Sequence, residues 1–168
     1  DDFPRALPKS LKDAILCFIL SIAIREVRKP AMLNSALFNP HHTMLVHISR
    51  FIPWQNKTKK LIQKYVSKVS SSLTSDNPTD ENTIYSDFER IWYTHYAKIL
   101  EEIHEYLPKD YKDPFMLPLT FNTARKKLTH AIEGVTVKAL NSSGPKHSQD
   151  KLQYVEPEKV IAVGGNRL

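Results

Sequence analysis

Gly164, Gly165, Asn166 and Arg167 directly follow the apolar run Val160-Ile161-Ala162-Val163. A short β-branched run reads as a buried strand, which puts the residues after it in a loop at the carboxyl edge of a parallel sheet. Paired glycines let backbone amides approach an anion closely, and the Asn and Arg behind them add donors in the same place. The chemistry implied is phosphate binding. Two other runs end in comparable residues. Thr43-Met44-Leu45-Val46-His47-Ile48 reads as a buried strand leaving into Ser49, Arg50 and Phe51, and Val135-Thr136-Val137-Lys138-Ala139-Leu140 as one leaving into Asn141, Ser142, Ser143 and Gly144. In a parallel arrangement Ser49 and Arg50, Ser142 and Ser143, and the loop from Gly164 to Arg167 share one edge, and shared placement makes a site.

Beyond Arg50, the apolar residues Leu61, Ile62, Tyr65, Val66, Val69 and Leu73 recur at helical spacing, predicting a helix over Lys57–Leu73. Its charge has one sign. Lys57, Lys59, Lys60, Lys64 and Lys68 are present, and no Asp or Glu lies between Phe51 and Ser75. A solvated helix face usually mixes signs, so an unmixed basic face suits phosphate contact; ordinary solubilising lysines are the alternative. Trp54, between Arg50 and Lys57, has two readings. It can stack on a base of single-stranded nucleic acid, or pack like Phe51 at the start of the basic helix, and packing is expected.

Other chemistries lack their residues. A Walker-type loop needs Gly-x-x-x-x-Gly-Lys-Ser/Thr, and the chain's glycines stand only at positions 134, 144, 164 and 165. Asp80-Glu81 falls in a polar stretch, where helix capping is the expected role. Asp110-Tyr111-Lys112 resembles the acid-x-Lys element of a metal nuclease, but no strand or partner acid accompanies it, and Glu156-Pro157-Glu158-Lys159 has the wrong spacing. His41, His42 and His47 lack the further ligands of a tetrahedral set, and His95 and His104 are too far apart on one helix to pair. With a single cysteine and no Ser-His-Asp arrangement, nucleophilic catalysis has no support; no catalytic residue and no metal ligand is assigned.

These residues need a scaffold. A chain of 168 residues with 41% hydrophobic content can build one compact domain with a core. Leu11, Ala14, Ile15, Phe18, Ile19, Ile22 and Ala23 mark a helix buried on most sides, with Ser10 as N-cap and Pro30 as its end. Lys12, Asp13 and Ser21 interrupt that run, which falls short of the roughly 20 apolar residues of a membrane span. Residues 70–82 are polar and read as a surface connection. An amphipathic helix over Ile84–Tyr106 follows, closed by Pro108; a second, capped by Thr120 or Asn122, carries Ala124, Leu128, Ala131 and Ile132 and stops at Gly134. Strand, helices, strand, link, strand is the order of a parallel α/β sheet. The net charge of +6 favours an anionic partner, nucleic acid ahead of a membrane surface. Cys17 sits in an apolar helical run, so it is expected in the core of a protein from a reducing compartment, the cytoplasm.

Three segments together resemble a known family. Leu7-Pro8-Lys9-Ser10-Leu11-Lys12-Asp13-Ala14-Ile15, Met44-Leu45-Val46-His47-Ile48-Ser49-Arg50-Phe51 and Val160 to Leu168 are similar, in order and over nearly the whole chain, to landmarks of the "Z-one" domain family. Its members are large bacterial proteins that carry an endonuclease label, are linked to DNA restriction and repair, and are associated with a superfamily-two helicase-like ATPase. The resemblance implies a fragment: a helical connection over 1–40, then a partial RecA-like second domain of P-loop NTPase type over 41–168, with a helical insertion around 83–133 and a truncated carboxyl end. It implies that Ser49 and Arg50 hold a motif-four-like position and that Gly164, Gly165, Asn166 and Arg167 open a motif-five-like loop, with Ser142 and Ser143 added by topology. ATP and a divalent metal ion are implied for the parent protein, with no cofactor in the fragment. The implied partners are DNA and the parent's remaining domains, with no membrane. The isolated fragment is expected to hydrolyse neither ATP nor DNA. A non-catalytic protein–protein interaction module is the alternative.

Overall fold

The computed structural model describes residues 5–36, 38–111, 115, 118–140 and 156–165. Their contacts divide the chain into two units, each assembled from separate stretches: residues 1–12, 39–68 and 133–168 in the first, 13–38 and 69–132 in the second.

The first unit is built on a three-stranded parallel sheet in the order β1-β3-β2, formed by β1 (His42–His47), β2 (Val135–Ala139) and β3 (Lys159–Gly164). Register is continuous, with Leu45 beside Ala162 and Ala162 beside Lys138. The run Val160–Val163, buried throughout, is the central strand. Its unbroken β-branched and small residues fit a strand covered on both faces. β1 departs from the expectation of a buried strand. Among the described strands it has a neighbour on one side only, and of its residues Val46 alone is buried while Leu45 is 54% exposed. An edge position explains why an apolar run stays partly in water. The ammonium of Lys138, next to last in β2, lies 3.2 Å from Glu158 Oε1 and 3.3 Å from Oε2, tying β2 to the residue before β3. Helix α2 (Ile52–Ser75) follows β1, longer at both ends than its apolar spacing predicts, and its buried Ile62 and Val66 belong to this unit.

The second unit is helical. Helix α1 (Lys9–Met32), which belongs to this unit from Asp13 onward, starts one residue before the expected cap: the Lys12 amide donates to Pro8 O at 3.1 Å, so Ser10 is already inside the helix. Pro30 does not end it. Lacking one amide, proline removes a single bond of the last turn, and Leu33 N–H still reaches Lys29 O at 3.0 Å. The long amphipathic helix has the expected ends but is not uniform: α3 (Ile84–Ile91), a π-helical turn (Trp92–Ala97) and α4 (Lys98–Tyr106) run on without a break. Asp76 accepts from the first helical amide, Ile84 N–H, at 3.1 Å, where a carboxylate suits the helix dipole. The next segment is two short helices, α5 (Phe121–Arg125) and α6 (Leu128–Ile132), because the Lys127 amide bonds back three residues to Ala124 O at 2.9 Å and tightens the turn. Thr120 caps α5, and Gly134 follows α6 at φ 73°, a conformation that favours glycine.

Candidate nucleic-acid interface

Parallel strands deliver their carboxyl ends to one edge. The Ile48 amide donates to Gly164 O at 3.1 Å and the Leu140 amide to Val163 O at 2.8 Å, carrying both ladders one residue past the strand ends. Ser49 and Gly165 emerge there together. Ser142, Ser143, Asn166 and Arg167 lie outside the described residues. After β1 the backbone turns at once: Ser49 Oγ accepts from Phe51 N–H at 3.2 Å, and the amides of Trp54 and Gln55 donate to Phe51 O at 3.1 and 3.2 Å. Phe51 is therefore the residue from which α2 starts, and no acidic residue occupies the first turn.

Gln55 holds this turn. Its side-chain amide donates to Ser49 O at 2.7 Å, and the residue is 4% exposed. A side chain at position 165 would collide with the Ser49 carbonyl oxygen and stand 2.8 Å from Gln55 Nε2. The open side of Gly165 thus admits a carbonyl and an amide of the protein itself, joining the β1 and β3 ends. Gln55 Oε1 is buried and has no hydrogen-bond partner among the described residues.

Along α2, Lys57, Lys60, Lys64 and Lys68 are all exposed. At positions i, i+3, i+7 and i+11 they form one stripe, about 16 Å long at the rise of an α-helix. Lys59, half-buried, is off that stripe. Lys12 Nζ stands 5.9 Å from the centroid of the Tyr65 ring, adding a cation beside the same helix. Arg50 is exposed, its guanidinium carbon 5.4 Å from the centre of the Phe51 ring. The expectation that Phe51 packs at the helix start does not hold: it is 54% exposed. Trp54 is half-buried with its ring 6.5 Å away, tilted at 49°. Helical periodicity could not reveal either Phe51 or Gln55, since one precedes the helix and the other is a polar residue held inside by a backbone carbonyl.

No group of three or more His, Cys, Asp or Glu able to hold a metal ion occurs among the described residues. Asp110 is exposed, and the Glu158 carboxylate is engaged by Lys138 at the opposite end of β3 from Gly165. Burial, followed by the nearby Asp13 charge, pushes the Cys17 thiol above its ordinary range, which opposes nucleophilic use. Among the described residues no helix is long and apolar enough to cross a membrane.

A family model described as "Z1 domain" matches residues 10–168. No curated protein and no solved structure matches the chain.

Proposed function

Because this chain belongs to the Z1 domain family, we propose that it is the nucleic-acid-contacting part of a helicase-like ATPase or endonuclease of bacterial DNA restriction or repair. Its parallel sheet, on this reading, is part of a RecA-like second domain whose strand-end loops hold the DNA backbone. The observation that carries the proposal is the acid-free lysine stripe of α2, which begins close to the carboxyl edge where Ser49, followed by Arg50, meets Gly165. Phosphates are bound by clustered cations that displace condensed counterions. ATP and a divalent ion belong to the proposal for the parent protein. The described residues offer them no cradle: the open side of Gly165 is filled by Ser49 and Gln55, and a metal-ligating group is absent among them.

The test is DNA binding across a salt series by the unaltered chain, by Arg50→Ala, and by a chain with Lys57, Lys60 and Lys64 changed to Glu. Affinity should fall linearly with log salt, and the slope should shrink by about 0.7 to 0.9 for every phosphate that a variant no longer neutralises. Failure to bind at low salt would overturn the reading.

A second reading, a protein-interaction module, has one observation of its own. Ile99 and Tyr106 on α4 are 54% and 83% exposed and, with Ile103, continue an apolar stripe into solvent. Under it, the lysine substitutions leave partner capture intact.

A further inference from the structure

Resting on the DNA reading, we infer that Phe51 is a stacking platform for an unpaired base, which makes single-stranded DNA the preferred ligand of this edge. An aromatic ring 54% exposed loses stability to water unless something covers it, and the surroundings select the cover. Arg50 stands over the ring at 5.4 Å, and the stripe of Lys57, Lys60, Lys64 and Lys68 starts within two turns of it. No acid lies between Phe51 and Ser75 to balance them. An apolar protein segment would leave those cations unmatched. A base in a single strand brings both an apolar face for the ring and phosphates on either side for the cations. A duplex offers phosphates but keeps its base faces stacked inside, so it satisfies the lysines and leaves Phe51 wet. The half-buried Trp54 lies beside Phe51, its ring 6.5 Å away and tilted at 49°.

Stacking and phosphate binding respond differently to salt, because only the latter releases counterions. The whole chain is titrated with an oligothymidylate of roughly 12 nucleotides, the same strand with abasic sites, and a duplex, each over a salt series. Phe51→Ala is expected to weaken thymidylate binding roughly 10-fold at every salt concentration with the slope unchanged. Phe51→Trp restores binding, and the abasic strand and the duplex bind Phe51→Ala as they bind the unaltered chain. An unchanged thermal midpoint shows that this exposed substitution leaves the fold intact. Equal thymidylate affinity with and without the ring, or an equal weakening on thymidylate and abasic strand, would overturn the platform while the lysine-dependent binding stands. No binding of any DNA by the unaltered chain would overturn both the platform and the reading beneath it.

Discussion

Gln55 shows what one buried amide does for an edge that faces solvent. Its Nε2 bond to Ser49 O contributes stability, but its Oε1 is buried with no partner among the described residues, and such an orphan costs about 1–3 kcal/mol. The two terms nearly cancel, so Gln55→Met is expected to change unfolding free energy by no more than about 1 kcal/mol. The same substitution should accelerate amide exchange at Arg50 and Phe51, because the turn then loses the side-chain bond that ties the Ser49 carbonyl to α2. Gly165 is the opposite case. An added methyl meets the Ser49 carbonyl, which cannot retreat without moving the end of β1, and overpacking of this kind costs about 1–3 kcal/mol. Urea denaturation of Gly165→Ala beside Gln55→Met separates the two; equal destabilisation would show that the crowding at Gly165 is relieved elsewhere. Cys17 should react slowly with thiol reagents near neutral pH in the folded chain and rapidly after unfolding, since burial and Asp13 raise its pKa.

At the scale of elements, the π-helical turn Trp92–Ala97 is the least ordinary feature of the second unit. It leaves Trp92 and Tyr96 stacked at 6.1 Å with ring planes 11° apart, and the Tyr96 hydroxyl donates to Cys17 O at 2.8 Å. Burial pushes the Tyr96 phenol up to about 12, above the value near 10 of an unfolded chain. The neutral form is therefore the one the fold prefers. The stability tied to it is whole below pH 10 or so and disappears as pH rises through about 12. Tyr96→Phe should cost about 1 kcal/mol at neutral pH by removing the hydrogen bond, and it should flatten the decline between pH 10 and 12. Denaturant midpoints at several alkaline pH values check this. Parallel declines in both proteins would place the titrating group elsewhere.

At the scale of the molecule, the two units are interleaved in sequence, and the first gathers β1, β2 and β3 from stretches far apart along the chain. Among the described strands β1 pairs with β3 alone. A chain ending before Glu133 lacks both other strands, so β1 has no ladder and its backbone groups no partners. Loss of the sheet band in the infrared amide spectrum is the expected result, and a sheet signal that survives this truncation would contradict the strand pairing. Proximity of the strand ends also depends on long-range pairing. Ser49 meets Gly165 only because β1 and β3 are in register from His42 beside Lys159 to His47 beside Gly164.

Period and composition by themselves determined the positions of the three strands, the span from Ile84 to Tyr106 as a continuous helical stretch, the stop at Gly134 and the one-signed charge of α2. Those features are local: each follows from which residue types repeat at a period of about 2 or 3.6, and from one residue able to adopt positive φ. The tertiary structure decided the rest. It made β1 an edge strand among the described ones, although its composition resembles that of a central one, because burial is set by the number of neighbours. It split the helix after Thr120 and placed a π turn in the long one, through shifts of a single hydrogen-bond register that leave the apolar pattern almost unchanged. It also put Gln55 inside and left Phe51 54% exposed, an inversion of their polarities, because a backbone carbonyl awaited the one and the described residues cover the other only in part.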